Sequence, residues 1–143
     1  MLIDNPLTSS PLVFPVLDCL HIAGFALAIG TTALVDFRLL DLGLRHLTAA
    51  QIARNVSWWM LGGLIVAVFT GLMLFSTDPD MYYLNWSFLA KMACLALAIV
   101  FNYTILRKAA ASGFSPATGK LVACVSLALW IAVIFGGIFI AFI

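Results

Sequence analysis

Charge is what this chain has least of. Asp, Lys and Arg together make up 9% of its 143 residues, and glutamate does not occur at all. Seven basic side chains against six acidic ones leave a formal net charge of +1, which gives no basic surface on which to hold nucleic acid and excludes it as a partner. Cysteine is scarce as well. Cys19, Cys94 and Cys124 are odd in number, lie in apolar stretches and form no C-x-x-C, which argues against disulfides and zinc sites. They are expected to pack as small buried residues. What fills the chain is apolar: 64% hydrophobic residues and a mean hydropathy of +1.15, far outside the range of water-soluble domains.

An integral membrane protein follows from that composition. A crossing takes about 20 apolar residues, so these 143 have room for four helices and for no extramembrane domain. The opening stretch "MLIDNPLTSSP" has no Lys or Arg ahead of the first apolar run and no clear small-residue cleavage site after it. A cleavable signal peptide is therefore not expected, and the first helix is read as retained.

Four apolar runs stand out, at 12–42, 56–76, 84–106 and 119–142. All four are expected as helices, because lipid tolerates no unpaired backbone groups. The fold class read from the sequence is thus all-α, a four-helix membrane bundle in a single domain. The first run is longer than a crossing requires and is expected to tilt or to project at its Asp41–His46 end. Thr48 offers an N-cap for the helix entering the second crossing, "STDPD" ends that crossing, and Ser112, Gly113, Ser115, Pro116 and Gly119 mark a loop before the fourth.

Cations set the orientation. Arg38, Arg45 and Arg54 flank the first connection and Arg107, Lys108 and Lys120 the third, while the second connection and both termini have none. The positive-inside rule makes the two basic connections cytoplasmic and places both termini on the outer side. Trp58 and Trp59 at one end of the second run, with Tyr82, Tyr83 and Trp86 at the outer turn, read as interfacial anchors.

With that topology, depth can be compared at about 1.5 Å per residue. Asp18 and His21 lie about 9 to 14 Å along the first helix from its outer end, and Lys91 lies about 9 Å along the third, so the three share a level in the outer leaflet. Lipid exposure would cost each of them several kcal/mol, so they are expected to face the bundle interior and one another. Helical phase puts His21 on a stripe with Gly24, Ala28, Thr31 and Val35. Lys91, Cys94, Ala98 and Asn102 share a face of the third helix, and Gly63, Ala67, Thr70 and Gly71 a face of the second. Close helix packing accounts for the small residues. The histidine and lysine invite more, since imidazole combines tolerable burial with metal ligation. Asp36 and Arg38 read as an interfacial ion pair or a contact with lipid phosphates. His46 reads as a solvated surface residue, since 25 residues of helix would put it about 37 Å from His21.

The stretches "LHIAGFALAIGTTALVDFRLL", "FTGLMLFSTDPDMYYLNWSFLAKMACLALAIVFN" and "SLALWIAVIFG" together resemble a bacterial four-helix membrane family of unknown function. Its members typically carry a first-helix His followed by G-t-x-x-x-x-D-x-R-L-L, then T-G-x-x-x-F, N-x-x-F-x-x-K and S-L-x-x-W. Near the end, relatives tend to read Gly-Arg where this chain has Gly136-Gly137, so the resemblance assigns no cation there. A first-helix His with a third-helix Lys is also similar to the membrane-bound protoporphyrinogen oxidase family and, more loosely, to the copper-resistance D family. That similarity implies haem or porphyrin binding at His21 and Lys91. The oxidase activity does not carry over, because the further histidine and polar helix residues of that family are missing here.

The leading expectation is a b-type haem site in the outer half of the bundle, in the inner membrane of a bacterium. His21 would be its axial metal ligand, Lys91 would lie near a propionate, and Asp18 would accept the other ring proton of His21. Such a site would suit electron transfer to quinone or to a partner subunit, and a shared pair of histidines would make the chain a homo-oligomer. Two alternatives stand beside it. His21 can be a structural histidine paired to Asp18 or Lys91, or the chain can be a cofactor-free accessory subunit of a larger membrane complex. A transporter or channel is disfavoured, since four short helices enclose little volume and no proline breaks one in mid-membrane. Any catalysis is left open.

Overall fold

The computed structural model describes residues 9–43, 46–111, 115–140 and 142; Arg45, Ser112 and Gly113, singled out above, lie outside them. Every regular element among the described residues is helical: α1 (Val13–Leu39), α2 (Ala49–Thr77), α3 (Pro79–Tyr83), α4 (Trp86–Phe101), a π-helical turn at Asn102–Leu106, α5 (Arg107–Ala110) and α6 (Pro116–Phe139). The segment from α4 through the π turn to α5 is one continuous span, Trp86–Ala110. That span and α1, α2 and α6 are each long and apolar enough to cross a membrane, and the protein is an all-α, multi-pass membrane protein.

Local chemistry sets the helix ends. Thr48 caps α2 by accepting from the Gln51 backbone N–H, and the Gln51 side chain accepts from the Thr48 N–H in return. This reciprocal cap starts the helix at Ala49, well ahead of its apolar run. At the other end of the connection α1 stops at Leu39, short of the expected 42. The Leu42 N–H turns back to the Phe37 carbonyl and the Asp41 N–H to that of Arg38, with Asp41 at φ 60°. This is a Schellman stop, with aspartate in the left-handed position that glycine usually takes. Pro116 and Gly119, expected in a loop, belong to the first turn of α6. Ser115 is its N-cap, and proline at N1 gives up an N–H that has no helical partner anyway. Asn85 does two jobs: its Oδ1 caps α4 at Ser87 and Phe88, and its Nδ2 donates to the Ile140 carbonyl, tying the start of α4 to the end of α6.

Around the bundle α2 packs on α1, α1 on α6, and α6 on α4. The α1–α2 contact is backbone against backbone. A Cβ on Gly24 would lie 2.8 Å from both the Ala67 nitrogen and the Gly63 carbonyl oxygen, and one on Gly63 would lie 2.8 Å from the Gly24 carbonyl oxygen. Small residues allow that approach, which in lipid is driven by van der Waals contact rather than by a hydrophobic effect. Across the open side of the ring α2 and α4 meet through large side chains. Phe75 stacks on Phe88 at 5.6 Å, and the Met60 sulfur accepts from Asn102 and from the Tyr103 hydroxyl. Ala28, Met60, Leu64, Leu95, Ala98 and Trp130 fill the middle.

Two expectations about side chains fail. Cys19 and Cys124 face outward instead of packing inside, and only Cys94 borders the core. Trp58, Trp59, Tyr83 and Trp86 are exposed, but Tyr82 is not a simple anchor: it joins Phe75 and Phe88 in an aromatic cluster over the end of the bundle away from the arginines.

Candidate functional site

The stripe of small residues that lets α1 lie on α2 also decides where His21 goes. Its ring is half-buried against α2, with Nδ1 2.7 Å from the Ala67 carbonyl oxygen and 3.2 Å from the Thr70 hydroxyl oxygen. A carbonyl only accepts, so Nδ1 carries the proton and donates it. In the neutral ring Nε2 is then the atom with the free lone pair, the form in which imidazole binds metals. Thr70 in turn donates to the Val66 carbonyl at 2.6 Å, which fixes the side of its oxygen that meets the histidine. Gly71 completes the cradle. A Cβ there would come within 2.9 Å of the His21 Cε1, so a bare backbone is what leaves room for the ring.

Phe25, one turn further along α1, stands edge-on to the imidazole, with ring centroids 4.9 Å apart at 87°. Lys91 also reaches this phenyl ring, with its Nζ 5.0 Å from the Phe25 ring centroid. The lysine stem crosses α6 at Gly136 and Gly137: a Cβ on the first would be 2.9 Å from the Lys91 Cβ, and one on the second 3.4 Å from Nζ. The glycine pair that departs from the family pattern is thus where the lysine lies, and a second cation at 137 would face its ammonium. His21 and Lys91 are brought to one level, as depth counting expects, and Phe25 contacts both.

Asp18 does not take its expected part. It is exposed on α1, the ring proton of His21 goes to Ala67, and among the described residues no ion pair joins Asp18 to His21 or Lys91. His46 is exposed at the opposite end of α1, clear of this group.

The Asp36–Arg38 pair is also corrected. Residues two apart on a helix point to different sides, and these two do. Asp36 is fully buried and accepts from the Ser126 hydroxyl on α6 at 2.9 Å. Arg38 turns outward, donates to the Leu47 carbonyl at 2.6 Å and lies 3.7 Å from Asp41. Sequence reasoning missed Ser126, Phe25 and the Ala67 carbonyl. Ser126 sits on a 3.6-residue stripe with Val122, Trp130 and Val133, which was a readable sign that its hydroxyl faces inward.

Among the described residues no group of three or more His, Cys, Asp or Glu could hold a bare metal ion. A porphyrin iron asks less of the protein, since the macrocycle brings four ligands and needs an axial one. The residues fit that demand. His21 is oriented through Nδ1 with Nε2 left over, Gly71 leaves the ring space, and Lys91 offers a cation on the neighbouring helix face.

No curated protein and no solved structure matches the chain. The family model DUF6644, described as a family of unknown function, matches residues 12–143. With the whole bundle inside that match, the chain belongs to the DUF6644 family.

Proposed function

We propose that this protein is a b-type haem protein of the bacterial inner membrane, with His21 as axial ligand through Nε2 and Lys91 as the cation for a propionate. One observation carries the reading: the Nδ1–H of His21 is committed to the Ala67 carbonyl, as the ring of a metal-bound histidine is committed to an outer partner. Haem would supply a one-electron centre at that level of the bilayer. The chain's own residues orient the imidazole and hold a positive charge beside Phe25. The basic connections lie inward in this reading, so the site serves the outer half of the membrane, with quinone or a partner subunit as acceptor.

Because one chain offers a single suited imidazole, two-histidine ligation would take a second His21 from another copy, most simply in a two-fold dimer. The test is the absorption spectrum of protein purified in mild detergent. A Soret band with a sharp alpha band on reduction is expected from the wild type and not from His21→Ala.

A second reading is a cofactor-free accessory subunit that lines a larger membrane complex. What favours it is that His21 already has a structural job, bonding α1 to α2 through Ala67 and Thr70. A colourless preparation that co-purifies in fixed proportion with a larger complex is its expected signature.

A further inference from the structure

The outer site leaves unexplained a second set of polar groups nearer the arginine-bearing end. Asp36 has no exposed surface, yet only one of its carboxyl oxygens has a partner: Oδ2 takes the Ser126 hydroxyl, and Oδ1 has none. One turn along α6 from Ser126, the indole N–H of Trp130 is likewise buried at 2% exposure and without a partner. A buried acceptor on α1 and a buried donor on α6, each without a partner, are the kind of groups that an internal water satisfies.

A cavity of about 30 Å³, enough for water, opens near this part of α1, although Asp36, Ser126 and Trp130 do not themselves line it. Its wall includes Thr32 and Val35, the residues one turn from and next to Asp36, together with Ser57, Asn102 and Arg107. Part of that wall is the π turn Asn102–Leu106, where the backbone departs from α-helical pairing. Such turns gather at functional positions in helices.

Among the described residues no cation is paired with the carboxyl. Arg38 on α1 is held by Leu47 and Asp41, and Arg107 on α5 lies over the Tyr103 ring at 4.6 Å. Arg54 on α2, Lys108 on α5 and Lys120 on α6 are exposed. A buried carboxyl without a cation exchanges charge with its surroundings most readily by binding a proton.

We propose that Asp36 is a proton-binding site, filled and emptied from the arginine-bearing face by way of the small cavity walled by Thr32, Asn102 and Arg107. The proton adds to the carboxylate to give the neutral acid and leaves to water by the same route. The site is independent of haem: His21 is 15 residues away along α1, about 22 Å.

Infrared difference spectroscopy of the full chain in an ester-free detergent tests this. A carboxylic C=O band should lose intensity as pH rises, shift in D2O and be absent from Asp36→Asn. Ser126→Ala, which keeps the carboxyl and removes its donor, should move the band without abolishing it, and it covers the case in which Asp36→Asn fails to fold. Thr32→Val combined with Asn102→Leu should slow deuterium exchange by about tenfold or more, the effect of adding about 1.4 kcal/mol to a barrier. A band that neither titrates nor exchanges overturns the proton site, and exchange unslowed in the double variant overturns the route.

Discussion

The Nδ1 of His21 lies 2.7 Å from the main-chain oxygen of Ala67, 46 residues later in the sequence and on the adjacent helix. A backbone acceptor cannot be mutated away and does not titrate, so it holds one tautomer of the ring at any pH at which the imidazole is neutral. A carboxylate in the same place would have brought a second charge into the bilayer. The haem reading rests on this bond, and the first prediction follows from it.

Replacing His21 by Ala should remove bound haem while the helices remain inserted, whereas His46→Ala should leave the haem content unchanged. Haem is counted per chain from the pyridine haemochrome spectrum. Normal stoichiometry in His21→Ala would sink the assignment.

The cradle can be tested without touching the ligand. In Gly71→Ala the new methyl would stand 2.9 Å from the His21 ring, so the ring or the helix must shift. Reduced haem occupancy, or a displaced Soret maximum at unchanged protein yield, is expected. A spectrum identical to the wild type would mean that Gly71 is spectator backbone.

Lys91→Met should weaken haem retention without abolishing it, since a propionate loses a cation while the axial bond stays. Dilution into excess apomyoglobin measures the rate of haem loss, which should rise in the variant. An unchanged rate would leave Lys91 with its packing against Phe25, Gly136 and Gly137.

The α1–α2 seam makes a prediction about stability. Gly24→Ala places a methyl 2.8 Å from two backbone atoms of α2, and overpacking of this kind costs about 1 to 3 kcal/mol. Gly30 has open space around its Cβ position, and Gly30→Ala should be neutral or stabilising by about 0.5 to 1 kcal/mol. Thermal unfolding in detergent, followed by circular dichroism, compares the two.

Topology can be read with single cysteines in a chain whose own three are replaced. Ala111→Cys, exposed after α5, should react with an impermeant maleimide only from the cytoplasmic side, and Tyr83→Cys, exposed beyond α2, only from the periplasmic side. The reverse pattern would invert the bundle.

The fold class and the four spans were determined by the sequence alone, because the low charge content and long apolar runs admit only backbone-satisfied helices in lipid. The inward stripes were legible too: Gly24, Ala28 and Thr31 on α1 and Gly63, Ala67 and Thr70 on α2 recur at helical spacing, and all six are buried. Helical phase also held the correction for Asp36 and Arg38, since two residues is just over half a turn. What the tertiary structure decided is which atoms meet across helices. The acceptor for His21 is a backbone carbonyl, and every residue has one of those, so no side-chain pattern can announce it. The partner of Asp36 is a serine 90 residues away, brought opposite it only when α6 packs on α1. Periodicity along one helix tells which side faces inward. The rotation and height of the neighbouring helix decide what stands there, and these depend on the close approach of Gly24 to Gly63 and of Gly136 to Lys91.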